Sequence, residues 1–237
     1  MIPKRIHYCW FGGSPFPKLV KQCMESWKRF CPEFEIIRWD ESNAPLEDNP
    51  YVKQAYLAKK WAFVSDYVRL YALVQYGGIY LDTDVELLQS LDQYLDQGGF
   101  LGFESAGKVA TCVMGAVPRH PVFEGLAGSY AGRAFLGLDG RFDETTNVLS
   151  VTQMLSEAGL RPDGTGQTIE GISIYPAEYF SPKSLETGKL SLTENTAAIH
   201  HFQASWMSPR QRFHTRLAQC LGPNITRNLK MLLGRSV

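Results

Sequence analysis

The segment Tyr76–Glu86, with the sequence YGGIYLDTDVE, constrains the fold more than any other stretch of the chain. Its apolar run Ile79–Leu81 predicts a short buried strand, and the Gly-Gly pair before it predicts a tight turn. Asp82 and Asp84 follow this strand with one residue between them. Because two carboxylates at a rigid strand end can hold a hard divalent cation, the segment predicts a site for Mg²⁺ or Mn²⁺.

An Asp-x-Asp pattern has other interpretations. A solvated turn is one, since Asp is common in turns. An EF-hand loop is excluded, because its sixth and twelfth positions would hold Gly and Glu, and here they hold Leu87 and Gln93. A phosphatase with Asp82 as nucleophile and Asp84 as acid remains an alternative. So does a metal-dependent carbohydrate-binding module without catalysis.

Length and charge restrict the class of protein. With 237 residues and 44% hydrophobic residues, the chain is long enough for one α/β domain with a sizeable core. Basic and acidic residues both number 24, so no overall field favours nucleic acid. Six of the basic residues and no acidic one lie from Arg210 onward, which leaves 18 basic against 24 acidic residues, a net charge of −6, before that point.

Cysteine usage and hydropathy suggest a soluble, cytoplasmic protein. The five cysteines are odd in number and form no C-x-x-C pair, which favours reduced thiols. The N-terminal sequence lacks the long apolar run of a signal peptide. The longest weakly polar run, Val109–Val117, is about half of the roughly 20 residues that a spanning helix needs.

The first part of the chain predicts a βαβ unit. Ile6–Phe11 is a strand, a helix begins at Pro17, Phe34–Trp39 is a second strand, and Asp40–Pro50 is a loop. Trp10, just before a Gly pair, is a candidate for stacking on a base or sugar, with a core position as the alternative.

The stretch Trp61–Tyr76 predicts a helix that ends at the Gly pair. Asp66 and Arg69 are neighbours at i and i+3, beside an apolar stripe. One interpretation is a helix ion pair. The other is functional: Asp66 accepts hydrogen bonds from sugar or ribose hydroxyls, and Arg69 donates charge-assisted bonds to the same ligand.

Further elements are predicted in the second half. Strands are expected at Phe100–Glu104, Thr111–Val117, Ile172–Tyr175 and Ala197–Phe202. One helix is expected to begin at Pro121, and a second, Val148–Ala158, to have its N-cap within 145–147. The stretches 161–171 and 176–195 are expected to be irregular. Glu104 could face a pocket or solvent. Because side chains alternate along a strand, only one of His200 and His201 can join the carboxylates, and we favour His200. Ser205 and Trp206 could donate to phosphate oxygens.

Four segments in order, IPKRIHYCWFGG, WAFVSDYVRL, YGGIYLDTD and HHFQASW, resemble glycosyltransferase family 32, the DXD-containing sugar transferases. The resemblance implies a GT-A fold, an α/β domain with a mixed sheet, over residues 1–208. It implies a nucleotide-sugar donor, a Mn²⁺ or Mg²⁺ ion, and transfer with retention at the anomeric carbon. By this likeness the donor-binding residues are Trp10, Asp66, Arg69, Tyr80, Asp82, Ser205 and Trp206, the metal ligands are Asp82, Asp84 and His200, and the catalytic residues are Asp82, Asp84 and Arg69.

The resemblance also suggests substrates and location. A UDP-hexose is favoured over GDP-mannose as donor, with a glycan or lipid-linked saccharide as acceptor in polysaccharide synthesis. Residues 209–237 combine apolar stripes with flanking basic residues. This basic amphipathic extension predicts either a cap on the core or weak peripheral contact with an anionic membrane at its inner face.

Overall fold

The computed structural model describes residues 1–105 and 107–203. Nine strands are found there: β1 (Arg5–Cys9), β2 (Glu35–Trp39), β3 (Gly78–Leu81), β4 (Val85–Leu87), β5 (Gly99–Ser105), β6 (Lys108–Ala116), β7 (Gln167–Ile169), β8 (Ile172–Tyr175) and β9 (Ala198–His200). Six α-helices join them: α1 (Lys18–Phe30), α2 (Pro50–Leu57), α3 (Trp61–Tyr76), α4 (Pro121–Gly128), α5 (Asn147–Glu157) and α6 (Ala177–Phe180).

Seven strands form one mixed sheet in the order β2-β1-β3-β6-β5-β8-β7. β2, β1 and β3 run parallel, β6 is antiparallel to both β3 and β5, and β8 is parallel to β5. The predicted βαβ opening is therefore present. Since β1 and β3 are parallel neighbours, Trp10 and Asp82 emerge at the same edge of the sheet.

Helices cover both faces of the sheet. One buried cluster includes α3, with Phe63, Leu70 and Leu73 inaccessible or nearly so. The other includes α1, whose Trp27 is fully buried and donates its indole N–H to the carbonyl of Val85 at 2.7 Å. This layered arrangement confirms the predicted α/β fold, and it leaves the carboxyl ends of β1 and β3 free for a site.

The turn between α3 and β3 requires glycine. Gly77 has a φ of 60°, and a Cβ there would lie 2.6 Å from the ring of Pro118. Gly78 has a φ of 100°, and a Cβ there would lie 2.8 Å from the carbonyl oxygen of Arg5. Any larger side chain would push the turn away from its neighbours, so the pair fixes where β3 starts and where Asp82 emerges.

Several elements differ from the sequence predictions. β7 lies in the stretch 161–171 that was predicted to be loop, and α6 lies in the irregular stretch 176–195. β9 is shorter than predicted and pairs only with β4, in a separate two-stranded sheet. In the described part of the chain, no helix combines the length and apolar character that crossing a membrane requires.

Candidate active site

Two short strands bring a histidine to the Asp-x-Asp segment. The β4–β9 pairing sets His200 opposite Val85, directly after Asp84. Ligand atoms of Asp82, Asp84 and His200 then lie within 4.8 Å of one another. His201 points elsewhere, because its Nε2 lies 2.8 Å from a carboxylate oxygen of Glu86. His200 thus joins the cluster, while His201 forms a hydrogen bond that links the two strands.

Asp84 is buried and firmly held. Its Oδ2 accepts the backbone N–H of Gln203 at 2.7 Å, and its Oδ1 lies 3.4 Å from Nε2 of His200. Burial alone would raise the pKa of Asp84, but the His200 imidazole and the backbone donor outweigh it and lower that pKa to about 2. Asp84 is therefore an anion at any physiological pH, as a metal ligand must be.

His200 carries an unsatisfied atom. Its Nδ1 is buried and has no hydrogen-bond partner among the described residues. Burial lowers the pKa of His200, but Cys112 and Asp84 raise it more, and the net pKa lies well above the ordinary value. The negative surroundings that raise this pKa would also attract a metal cation, which the neutral form of the imidazole would bind. Two carboxylates and one imidazole are a donor set that would suit Mn²⁺ or Mg²⁺.

Arg69 joins the predicted helix pair to the metal cluster. Its Nη2 lies 3.2 Å from Oδ1 of Asp66 and 3.2 Å from Oδ1 of Asp82. Its other N–H groups donate to the carbonyl of Ser65 and to both oxygens of Thr111. Because protein groups surround the guanidinium, this arginine positions both aspartates, and a direct contact with a donor stays a prediction.

Asp66 has the most perturbed carboxyl group in this network. Burial raises its pKa to about 6, with repulsion from Asp82 adding to the effect and Arg69 opposing it. Tyr80 supports the second aspartate: its hydroxyl donates to Oδ1 of Asp82 at 3.1 Å, and its ring lies 4.7 Å from the Arg69 guanidinium carbon. The predicted residues Asp66, Arg69, Tyr80 and Asp82 thus form one continuous network.

Sequence reasoning missed Asn147. It was placed in the predicted helix N-cap, but the N-cap residue is Thr146, whose side chain makes no capping hydrogen bond. Asn147 is buried instead, and its Nδ2 donates to the carbonyl of Asp66 at 2.6 Å while its Oδ1 accepts from the Tyr130 hydroxyl at 2.6 Å. An Asn at a helix start is common, so no local signal could have revealed this role.

The candidate metal ligands, the network of Asp66, Arg69 and Tyr80, and Asn147 border one open pocket of about 710 Å³. Trp10 lies at one end, partly exposed, with its N–H donating to the carbonyl of Ser14 at 2.7 Å and its ring 4.8 Å from Phe16. His7, by contrast, is a structural residue, buried against Gly77 and Trp39. The predicted donor-binding residues Ser205 and Trp206, and the extension 209–237, lie outside the described residues.

Comparison with known proteins agrees with this geometry. Residues 17–101 match the family model described as the glycosyltransferase sugar-binding region containing the DXD motif. The chain is 31% identical over 127 residues to mannosyl phosphorylinositol ceramide synthase SUR1 of Saccharomyces cerevisiae, covering 52% of this chain and 33% of that protein. It is 30% identical to inositol phosphoceramide mannosyltransferase 2 of Schizosaccharomyces pombe, with 52% and 37% covered. The chain thus spans about a third of the length of these relatives.

A third relative is matched over a larger share. Uncharacterized glycosyltransferase L373 of Acanthamoeba polyphaga mimivirus is 27% identical over 200 residues, covering 80% of this chain and 76% of that protein. Among solved structures, the PaToxG glycosyltransferase superposes with a TM-score of 0.51 at 16% identity, covering 66% of this chain and 69% of that one, which supports the fold alone. Together these matches show that residues 17–101 are similar to the DXD-containing sugar-binding region of glycosyltransferases, and that the chain has the fold of a GT-A glycosyltransferase.

Proposed function

We propose that this protein transfers a hexose from a nucleotide-diphosphate sugar to a hydroxyl group of a saccharide or lipid-linked acceptor, with Mn²⁺ or Mg²⁺ as cofactor. The observation that carries the proposal is the convergence of Asp82, Asp84 and His200 within 4.8 Å at the mouth of an open pocket. These three side chains would hold the ion. When bound, a divalent ion neutralises charge that develops on the departing diphosphate.

The remaining residues of the site would orient the donor. Arg69 holds the Asp66 and Asp82 carboxylates in place through its two contacts of 3.2 Å. Asp66 would then accept hydrogen bonds from ribose or sugar hydroxyls. Trp10 offers a partly exposed aromatic face to the nucleobase, with its indole N–H already committed to Ser14.

Transfer with retention is part of the proposal. Asp66, Asp82 and Asp84 each have protein partners, and none of them stands free as a covalent nucleophile. We favour a front-side route, in which the acceptor hydroxyl attacks on the side of the leaving group and a phosphate oxygen takes its proton.

Two donors compete. A UDP-hexose is the donor that the sequence suggests, with a role in polysaccharide synthesis in the cytoplasm or at the inner membrane face. The names of the yeast relatives, a mannosyl phosphorylinositol ceramide synthase and an inositol phosphoceramide mannosyltransferase, favour a mannosyl donor such as GDP-mannose instead, with an inositol phospholipid as acceptor. Both donors use the same diphosphate site, so the mechanism proposed for the metal cluster is common to them.

A thermal-shift panel of UDP-, GDP- and CDP-sugars with and without Mn²⁺ tests the proposal. We expect one nucleotide class to raise the melting temperature, and only when metal is present. Release of nucleoside diphosphate in the presence of acceptor should follow. Phosphate release from small phosphomonoesters with a trapped phospho-Asp82 would instead establish the phosphatase alternative. Metal-dependent binding of free glycans without nucleotide affinity would establish the binding module.

A further inference from the structure

Glu104 is a pocket carboxylate without an assigned role. It lies near the end of β5, it is only partly exposed, and it borders the pocket. No residue of the ranges 1–105 and 107–203 donates a hydrogen bond to its carboxylate. A partly buried carboxylate loses solvation and keeps its acceptor capacity, so it is well suited to a polar ligand.

The side chains of β5 alternate between the two faces of the sheet as far as Phe103. Phe103 belongs to the buried cluster that packs on α3. Gly102 faces the opposite side of the sheet, where a Cβ would lie 2.8 Å from the Phe180 ring. The pairing of β5 with β6 shifts register between Phe103 and Ser105, so Glu104 lies at a β-bulge, where the strict alternation of side chains is interrupted. Together with Lys108 and Cys112 of the neighbouring strand, Glu104 borders the pocket.

The sheet order separates Glu104 from the nucleotide end of the pocket. Trp10 follows β1, Asp82 follows β3, and Glu104 lies on β5, two strands beyond β3 in the order β1-β3-β6-β5. A donor with its base at Trp10 and its diphosphate at Asp82 therefore reaches toward β5 with its transferable sugar end. The space next to Glu104 is then beyond the diphosphate, where an acceptor must approach.

We propose that Glu104 binds the acceptor by accepting hydrogen bonds from hydroxyls of its sugar or polyol ring. The inference depends on the proposed glycosyltransferase function and adds the acceptor side of the same pocket. Burial raises the pKa of Glu104, while His200 and Lys108 oppose that rise. Lys108, across the β5–β6 hairpin, also borders the pocket and gives this end a cation beside the carboxylate.

The test compares Glu104→Gln with Glu157→Gln, a matched control at the exposed last turn of α5. A carboxylate hydrogen bond is stronger than a neutral one, so we expect Glu104→Gln to raise the acceptor KM about tenfold or more. Hydrolysis of the donor by water and the affinity for nucleotide with Mn²⁺ should stay at the wild-type level. The probes are methyl α-mannoside, myo-inositol and inositol phosphoceramide. Glu104→Asp, which keeps the charge, should recover part of the loss.

The other outcomes are distinct. An unchanged acceptor KM in Glu104→Gln overturns the inference. A loss of both kcat and donor hydrolysis in this variant also overturns it, because Glu104 would then act in the reaction itself and not in acceptor binding. Saturation-transfer NMR with Mg²⁺ and nucleotide measures acceptor binding directly, so a wild type that binds nucleotide but none of the three probes also overturns it. A wild type that binds no nucleotide with either metal overturns the proposed function instead. Thermal unfolding of each variant separates a folding defect from all of these.

Discussion

Replacing Asp84 with Asn tests the metal cluster most directly, because the change is isosteric and removes one charge. An asparagine can still accept the N–H of Gln203, which Asp84 accepts at 2.7 Å. It cannot pair with His200 or supply an anionic oxygen to a cation. The substitution therefore separates the charge of this side chain from its shape.

The loss of folding stability that Asp84→Asn causes without metal follows from the pKa of Asp84. The pKa of Asp84 falls from 3.8 to about 2 on folding, and one pKa unit corresponds to about 1.4 kcal/mol. Because the folded pKa is depressed, this stability is present above the unfolded pKa near 4 and is lost as the pH falls through about 2. At pH 7 we expect Asp84→Asn to lose about 2 kcal/mol, which corresponds to about 4–8 °C in melting temperature for a chain of this size.

The effect on transfer should be larger. A divalent ion contributes several kcal/mol of charge stabilisation, so its loss should lower transfer about 100- to 1,000-fold. Calorimetric unfolding with and without Mn²⁺ and nucleotide, together with donor turnover, measures both effects. Asp96→Asn is the matched control, since Asp96 is exposed and does not border the pocket. Near-wild-type turnover in Asp84→Asn, or an undiminished Mn²⁺-dependent shift, would refute this role for Asp84.

Three further predictions concern the rest of the site. Arg69→Met should lower the free energy of unfolding by about 3–5 kcal/mol in urea titrations, because Asp66 and Asp82 lose their cation; a change below about 1 kcal/mol would contradict the network. Trp10→Ala should weaken calorimetric nucleotide binding by about 1–3 kcal/mol in a protein that remains folded, and unchanged binding would place the base elsewhere. Donor affinity should fall as the pH drops below about 6, where Asp66 protonates. Asp66→Asn should bind the donor weakly at every pH. A pH-dependent change in donor affinity that persists in Asp66→Asn would show that another group titrates.

The sequence predicted elements that depend on local patterns. The helix Trp61–Tyr76 and the strand Ile172–Tyr175 have the predicted bounds, because periodicity and flanking glycines act over a few residues. α2 was not predicted, since it is only eight residues long and follows a polar loop. Its start depends on Asn49, whose side chain accepts the N–H of Tyr51 at 2.8 Å.

Non-local contacts were the part that the sequence could not supply. β9 was predicted as part of a longer strand, but β4, which is only three residues long, was not predicted. The two strands pair across more than a hundred positions, and no local pattern indicates that pairing. Alternation indicated only that one of His200 and His201 could join the carboxylates, and the structure places His200 there while His201 contacts Glu86. Asn147 could not be linked to Asp66, because only the docking of α5 beside α3 brings them together.

The charges of the site explain why these elements converge on a cation. Asp66, Asp82 and Asp84 carry three negative charges against one positive charge on Arg69, which leaves a formal charge of −2 in a largely buried cluster. Such an excess repels itself unless a cation balances it. In the metal-free protein a proton on His200 supplies one positive charge, as its raised pKa indicates. A divalent ion among Asp82, Asp84 and His200 would replace that proton and balance the remaining negative charge, so the carboxylates that repel one another favour a metal and, with it, an anionic diphosphate.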